Sequence, residues 1–192
     1  MMGAGRREPP THRGSDATMQ QAGATTHQAG DQRPDAAVFG FLTAVETPAH
    51  GCLGGYLLVD LCGRPLEFHC TTPVKVSRAQ QILYGAALPA HLHGRQLGAA
   101  LLAEGTVEPA LVLTDIEAML HVRPHTPLPV ALVAAAEPRR PDSVPLGTAA
   151  IVPPPAAGDD RWRGALESLA AAVDLHEPFA RIRAAIEEAQ RH

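Results

Sequence analysis

Residues Leu53 to Thr71 have the sequence LGGYLLVDLCGRPLEFHCT, and this stretch decides the fold. Two runs of aliphatic and aromatic residues flank the segment Asp60-Leu61-Cys62-Gly63. Asp at the first position and Gly at the fourth are typical of a type I turn followed by a left-handed glycine. The stretch therefore predicts a β-hairpin that turns at this segment.

The turn also predicts the register of the hairpin, because the residues that face each other are counted outward from it. Apolar residues would then meet on one face: Leu58 opposite Leu66, Tyr56 opposite Phe68, and Gly54 opposite Cys70. The other face would carry Leu57 from one strand and the polar residues Glu67 and His69 from its partner. Such an outward polar face is either the wetter side of a sheet or a site.

Helices and strands alternate after the hairpin. The S-x-x-Q pattern at Ser77 and Gln80 is a capping box, which predicts a short helix through about Tyr84. Asp115 follows a buried apolar run and is predicted to cap a helix that ends near His121. The remaining predicted elements are strands over Val38–Val45, Ala110–Thr114, Pro129–Ala135 and Val144–Val152, and a helix over about His91–Glu104.

This order predicts an α+β fold. An antiparallel three-stranded meander is followed by helices and a βαβ-like half, which together form one mixed sheet with helices packed on it. Residues 1–37 contain no Val, Ile, Leu, Phe, Tyr or Trp, so we expect a disordered tail there. The α+β domain would span 38–152, a Pro-rich spacer 153–160, and a C-terminal helical segment 161–192.

The C-terminal segment has apolar residues at a helical period, in two stretches: Trp162, Leu166, Leu169 and Val173, then Phe179, Ile182 and Ile186. Pro178 fits the first turn of the second helix. Two interpretations stay open. The stripe packs on the sheet of its own chain, or it docks on a partner after a flexible spacer.

Composition restricts the class of function. The formal net charge is −4, which argues against a broad nucleic-acid-binding surface. The single lysine, Lys75, beside many Arg, Ala, Pro and Gly residues, indicates a GC-rich genome, and we expect a bacterial protein. No secretory signal or membrane span is predicted, and the three cysteines suit reduced thiols, so we expect a soluble cytoplasmic protein.

Metal and cofactor sites are not predicted. Cys62 and Cys70 would lie ~25 Å apart along the hairpin, too far to share a zinc ion. The ligands left near its open end, which are Cys52, Cys70, His50 and His69, contain no C-x-x-C or helical His pair. The glycines at 51, 54 and 55 precede a strand and not a helix, so they do not form a phosphate loop.

The order of three antiparallel strands, a helix and a buried strand ending in Asp115 resembles the ribonuclease-H-like nuclease fold. That resemblance implies metal-dependent hydrolysis by acids in the first strand, the first helix and at the end of the fourth strand. Only Asp115 matches, because Glu46 lies at the exit of the first strand and residues 77–84 contain no acid. Glu67, His69 and Asp115 are therefore the candidate catalytic residues of a degenerate or atypical carboxylate site.

Lys75 and Arg78 are candidate anion-binding residues, because a cation beside a helix N-terminus attracts negative charge. In the alternative, Ser77 satisfies the helix amides and Lys75 is solvated. Because no catalytic constellation is complete, we expect a non-enzymatic domain that binds a protein partner or itself. The alternative is an enzyme or nucleic-acid-processing domain with ribonuclease-H-like topology.

Overall fold

The computed structural model describes residues 37–48, 50–137, 140–155 and 161–191. The predicted disordered tail, apart from Ala37, lies outside these residues, and so does most of the predicted Pro-rich spacer. Within the described residues, none of the helices combines the length and apolar character needed to cross a bilayer.

Seven strands of the described chain form one mixed sheet in the order β3-β2-β1-β4-β5-β7-β6. The strands are β1 (Phe39–Thr47), β2 (Gly51–Val59), β3 (Pro65–Cys70), β4 (Leu111–Thr114), β5 (Val130–Ala135), β6 (Val144–Leu146) and β7 (Ala149–Val152). β1, β2 and β3 form an antiparallel meander, while β4 pairs in parallel with both β1 and β5. The predicted α+β fold with one mixed sheet is confirmed.

Helical segments cover both faces of this sheet. The helical segments of the described chain are α1 (Arg78–Tyr84), which buries no residue, a single 3-10 turn (Gly85–Ala87), α2, which is a π-helix over Ala90–Gly98 continued by an α-helix over Ala99–Glu104, a 3-10 segment (Glu117–His125), α3 (Arg161–Ala172) and α4 (Glu177–Ala189). The capping box at Ser77 is present, since its side chain accepts from Gln80 N and the Gln80 side chain accepts from Ser77 N.

The prediction of a single strand over Val144–Val152 is wrong, because Gly147, at φ 60°, divides it into the antiparallel strands β6 and β7.

Two buried cores lie on opposite faces of the sheet. On one face, residues of β1, β2, β4, β5 and β7 pack against α3 and α4, with Phe41 edge-on to Phe179 at 5.2 Å between ring centroids. On the other face, Leu42, Tyr56 and Leu58 pack against α2 and the 3-10 segment. We call these the α4 face and the α2 face.

The hairpin turn was predicted correctly, but its register was not. Gly63 has φ 72° and donates to the Asp60 carbonyl at 2.9 Å, as a type I turn with a left-handed glycine requires. Val59 lies opposite Pro65, in the predicted register. A β-bulge then leaves Leu66 without an opposite residue and shifts every later pair by one, so Leu58 faces Glu67 and Tyr56 faces His69. Glu67 and His69 therefore lie on the α2 face, beside Tyr56, and not beside Leu57.

The C-terminal apolar stripe packs on the sheet of its own chain. Trp162, Leu166, Leu169, Phe179, Ile182 and Ile186 are all buried in the core of the α4 face. Arg181 of α4 also donates to the Gly63 carbonyl at 2.9 Å, which ties the helix to the hairpin turn. The stripe therefore does not supply a free docking surface.

Candidate functional site

A polar cluster lies on the α4 face where the parallel pairing of β1 with β4 ends, at Leu42 and Thr114. The Thr43 hydroxyl donates to Asp115 Oδ1 at 2.7 Å. The Arg183 guanidinium from α4 pairs with Asp115 Oδ2 and donates to Thr43 Oγ1 at 3.2 Å. Thr43 is fully buried and the Asp115 side chain is 15% exposed, whereas the Arg183 side chain is 39% exposed at the edge of the cluster.

β1 is followed by β2 on one side of this position, and β4 is followed by β5 on the other side. The two connections therefore leave it in opposite directions along the sheet. Crevices at such switch points often bind ligands in α/β sheets. Here, however, Arg183 and Thr43 already satisfy the Asp115 carboxylate. Arg183 balances its charge, so the cluster ties α4 to the sheet more than it offers a free carboxylate.

Asp115 does not cap the following helix, contrary to the prediction. The residue at the N-cap of the 3-10 segment is Ile116, without a side-chain cap, and its amide donates instead to Thr114 Oγ1 at 3.2 Å. Asp115 is turned to Thr43 and Arg183, because an ion pair with two hydrogen bonds stabilises its carboxylate better than one solvated amide.

The other acid considered for a carboxylate site, Glu46, is exposed and pairs across the hairpin with Cys52. Among the described residues, no group of three or more His, Cys, Asp or Glu side chains is arranged to hold a metal ion. Cys52 is itself buried, and burial with the nearby Glu46 carboxylate raises the pKa of its thiol to about 11. A thiol with that pKa is a poor nucleophile at neutral pH.

Glu67 and His69 form a second polar cluster, on edge strand β3. Glu67 Oε2 lies 3.1 Å from His69 Nε2 and accepts from the Thr106 amide at 3.0 Å. The Thr106 hydroxyl also donates to Glu67 Oε1. These bonds lower the pKa of the Glu67 carboxyl to about 2, and the bond from the Thr106 hydroxyl has the largest effect. A carboxylate this well satisfied is a poor general base, but it fixes the loop after α2.

The three predicted catalytic residues do not form one site. Glu67 and His69 lie on the α2 face, opposite Leu58 and Tyr56. Asp115 binds Thr43 and α4 on the opposite face of the sheet. Metal-dependent hydrolysis would need several carboxylates together, and Glu67 is separated from Asp115 by the sheet. The alternative of an enzyme or nucleic-acid-processing domain stays a prediction.

A cleft of about 330 Å³ opens beside the Glu67 cluster. Its walls are the end of α2, the loop over 105–109 and the segment over 125–128, and Tyr56 also lines it. The His69 ring stacks on Tyr56, with 6.4 Å between centroids. Glu67 therefore holds one wall of the cleft through Thr106, and His69 backs the aromatic ring that lines it.

Lys75 and Arg78, the predicted anion-binding residues, lie on an exposed surface with helix α1. The amide of Gln80 is already bonded to Ser77 Oγ, and Arg78 donates to the Gln81 side chain at 3.2 Å. This geometry agrees with the alternative in which Ser77 caps the helix. Binding of a small anion by Lys75 and Arg78 stays a prediction.

Helix α1 has no buried residue. Ile82 is 67% exposed and Leu83 80% exposed, the largest fractions among the exposed large hydrophobic residues of the described chain. Tyr84 is also exposed and stacks on His91 at 4.3 Å between ring centroids, which connects α1 to the start of α2. Beyond Tyr84, the residues over 85–87 are exposed too, so an apolar surface continues past the helix end.

Sequence reasoning missed the residues that complete these clusters, which are Thr43, Tyr56, Thr106 and Arg183. Thr43 could have been predicted from the sequence, because parallel pairing of the first strand with the strand before Asp115 places Thr43 beside Asp115. Arg183 and Thr106 are distant in sequence from the carboxylates they bind, and no motif marks them. The exposed Ile82 and Leu83 were visible in the sequence as adjacent apolar residues that fit no helical stripe.

No protein-family model matches the sequence, and no curated protein matches it either. Among solved structures, the chain is similar to the Argonaute of Marinitoga piezophila in complex with a 5′-OH guide RNA, at 12% sequence identity and a TM-score of 0.29. The similarity covers 52% of this chain and 16% of the Argonaute chain. A likeness at this level carries no argument about function.

Proposed function

We propose that this protein is a non-enzymatic interaction domain that binds an apolar, acidic segment of another protein through the α1 surface. We define the α1 surface as Lys75, Arg78, Ile82, Leu83 and Tyr84. The observation that carries the proposal is the exposure of Ile82 and Leu83 on a helix that buries nothing. Exposed apolar side chains next to one another mark interaction sites on soluble proteins.

The charge around α1 indicates the chemistry of the partner. The sequence from Phe68 to Ala103 contains no Asp or Glu, although the whole chain has a formal charge of −4. Lys75 and Arg78 are both exposed at the beginning of α1. An apolar centre with a cationic rim suits a partner that has apolar anchors beside carboxylates. A second copy docking through the same surface would bring these cations together, which disfavours self-association there.

The anion-binding prediction fits within this proposal. Carboxylates of the partner would be the anions that Lys75 and Arg78 bind, while the apolar side chains supply most of the affinity. Apolar anchors in the centre of an interface contribute more than exposed charges at its rim, which mainly speed association and give salt dependence.

A phage-displayed library of random peptides tests the proposal without assuming a sequence. The library is panned on wild-type protein, with the Leu83→Ser variant in solution as competitor, so that only binders of the α1 surface are retained. We expect enriched peptides to combine aromatic or aliphatic residues with Asp or Glu. The dissociation constant of a selected peptide is then measured by fluorescence anisotropy.

We expect Leu83→Ser to weaken that peptide at least tenfold, and Lys75→Ala with Arg78→Ala to weaken it less and to reduce its salt dependence. Val144→Ser is the matched control, because Val144 is an exposed apolar residue on β6, outside the α1 surface, and should not change the affinity. Enrichment of basic peptides, no enrichment over the competitor, or equal affinity for Leu83→Ser would contradict the proposal.

A further inference from the structure

The side chain of Tyr56 is 1% exposed, yet its hydroxyl has no hydrogen-bond partner among the described residues. Buried tyrosine hydroxyls normally have a partner. Among the described residues, His93 Nδ1 is the one side-chain polar atom that is both fully buried and without a partner. The Tyr56 hydroxyl has no partner either, so it must keep some contact with solvent. Tyr56 is also one of the residues that line the cleft beside the Glu67 cluster.

The residues around Tyr56 hold its ring in place. A Cβ atom on Gly40 would come within 2.6 Å of Tyr56 Cε2, and one on Gly105 within 3.2 Å of Tyr56 Cε1. Both glycines therefore leave the space that the ring occupies. With His69 stacked on the same ring and Glu67 fixing the loop at Thr106, the hydroxyl is held where it is before any ligand arrives.

The chemistry of the walls restricts the ligand. Apolar side chains such as Leu102 and Leu128 form much of the lining, while Thr106, Glu108 and His125 add a few polar groups. No Lys or Arg is among the described residues that line the cleft, and Glu108 disfavours an anion. Burial raises the pKa of the Tyr56 hydroxyl, and the negative charge of Glu67 raises it further. The phenol therefore remains protonated and can donate a hydrogen bond.

We propose that this cleft binds a small uncharged molecule with an apolar body and one hydrogen-bond acceptor, which the Tyr56 hydroxyl holds. The site is independent of the α1 surface. An apolar pocket with a few converging polar groups is the usual form of a small-molecule site.

Three molecules of nearly the same shape test the proposal: acetophenone, which is neutral and has a carbonyl acceptor, ethylbenzene, which has no acceptor, and benzoate, which is an anion. Binding is measured from backbone amide shifts of Thr106, Val107 and Leu128 in ¹H–¹⁵N spectra during titration. We expect acetophenone to bind most tightly and benzoate most weakly, because Glu108 repels it. Ala103→Trp, which changes an exposed residue at the cleft wall, should abolish binding of all three.

Tyr56→Phe removes only the hydroxyl. We expect it to weaken acetophenone binding roughly 2- to 10-fold, the ratio that one net hydrogen bond gives, and to leave ethylbenzene binding unchanged. Tyr84→Phe, at the exposed tyrosine on α1, is the matched control and should change neither affinity. The proposal is overturned if no probe shifts these amides, or if acetophenone binds wild type and Tyr56→Phe equally while both variants unfold at the wild-type temperature.

Discussion

Glu67 on the edge strand β3 binds both the amide and the hydroxyl of Thr106, in the loop that follows α2. The two residues are 39 positions apart in sequence. The bonds join the free edge of the sheet to the helix layer on the α2 face. A carboxylate that accepts a backbone amide and a hydroxyl is stabilised in its ionised form, which makes this contact sensitive to pH.

The contact predicts how stability changes with pH. The Thr106 hydroxyl, the Thr106 amide and His69 lower the pKa of Glu67 from 4.5 to about 2. Because the folded pKa lies below the unfolded one, ionised Glu67 stabilises the fold fully above about pH 4.5, and this contribution is lost as the pH falls towards 2. Wild type should therefore be more stable than Glu67→Gln at pH 7, and the difference should shrink between pH 4.5 and pH 2.

Urea unfolding midpoints of both proteins at several pH values measure this difference. The comparison cancels the acid sensitivity that the rest of the chain has in common. Glu104→Gln is a control, because Glu104 is an exposed acid on α2, and its replacement should change stability at pH 7 by less than Glu67→Gln does. A Glu67→Gln difference that is constant with pH would show that the carboxylate is not specifically stabilised in the fold.

Asp115 and Arg183 should be coupled energetically. Asp115→Asn and Arg183→Met each break the ion pair at the end of β4, and each should cost about 1–3 kcal/mol, the value of hydrogen bonds to charged groups. The double variant should lose less than the sum, by about 0.5–3 kcal/mol, because both changes remove the same interaction. Chemical unfolding of all four proteins measures this cycle, and strict additivity would mean that the pair contributes nothing.

The hairpin illustrates how far the sequence could predict the fold. Asp60 and Gly63 specify a turn locally, so the turn was predictable from adjacent residues. The bulge at Leu66 was not, because it depends on how the whole of β3 lies against β2. One extra residue moved Glu67 and His69 to the other face of the sheet, and the composition of a candidate site changed with it.

The glycines Gly54 and Gly55 illustrate the same limit. Both were expected to precede a strand, whereas both lie within β2. A Cβ on Gly54 would come within 2.7 Å of Leu101 in α2, and one on Gly55 within 2.3 Å of Ile182 in α4. The pair therefore lets helices approach both faces of the sheet at one place. This role depends on residues far along the chain and is not visible locally.

Gly55→Ala should destabilise the protein by about 1–3 kcal/mol, because the added methyl group collides with Ile182 and Ile186 and pushes α4 from the sheet. Gly164→Ala is the matched control. Nothing lies within 4 Å of a Cβ there, and alanine at this exposed position of α3 should stabilise the protein by up to about 1 kcal/mol. Thermal and urea unfolding measure both changes. A neutral Gly55→Ala would mean that α4 does not pack closely on β2.

Ser77→Ala should melt α1 locally without changing global stability. Ser77 accepts from the Gln80 amide at 3.2 Å, and loss of such a cap costs about 1 kcal/mol. Because α1 buries no residue, nothing else in the core compensates for or transmits this loss. Amide hydrogen exchange should therefore speed up at Gln81 and Ile82, while the free energy of unfolding changes by less than about 0.5 kcal/mol. A large fall in global stability would instead show that α1 is part of the cooperative fold.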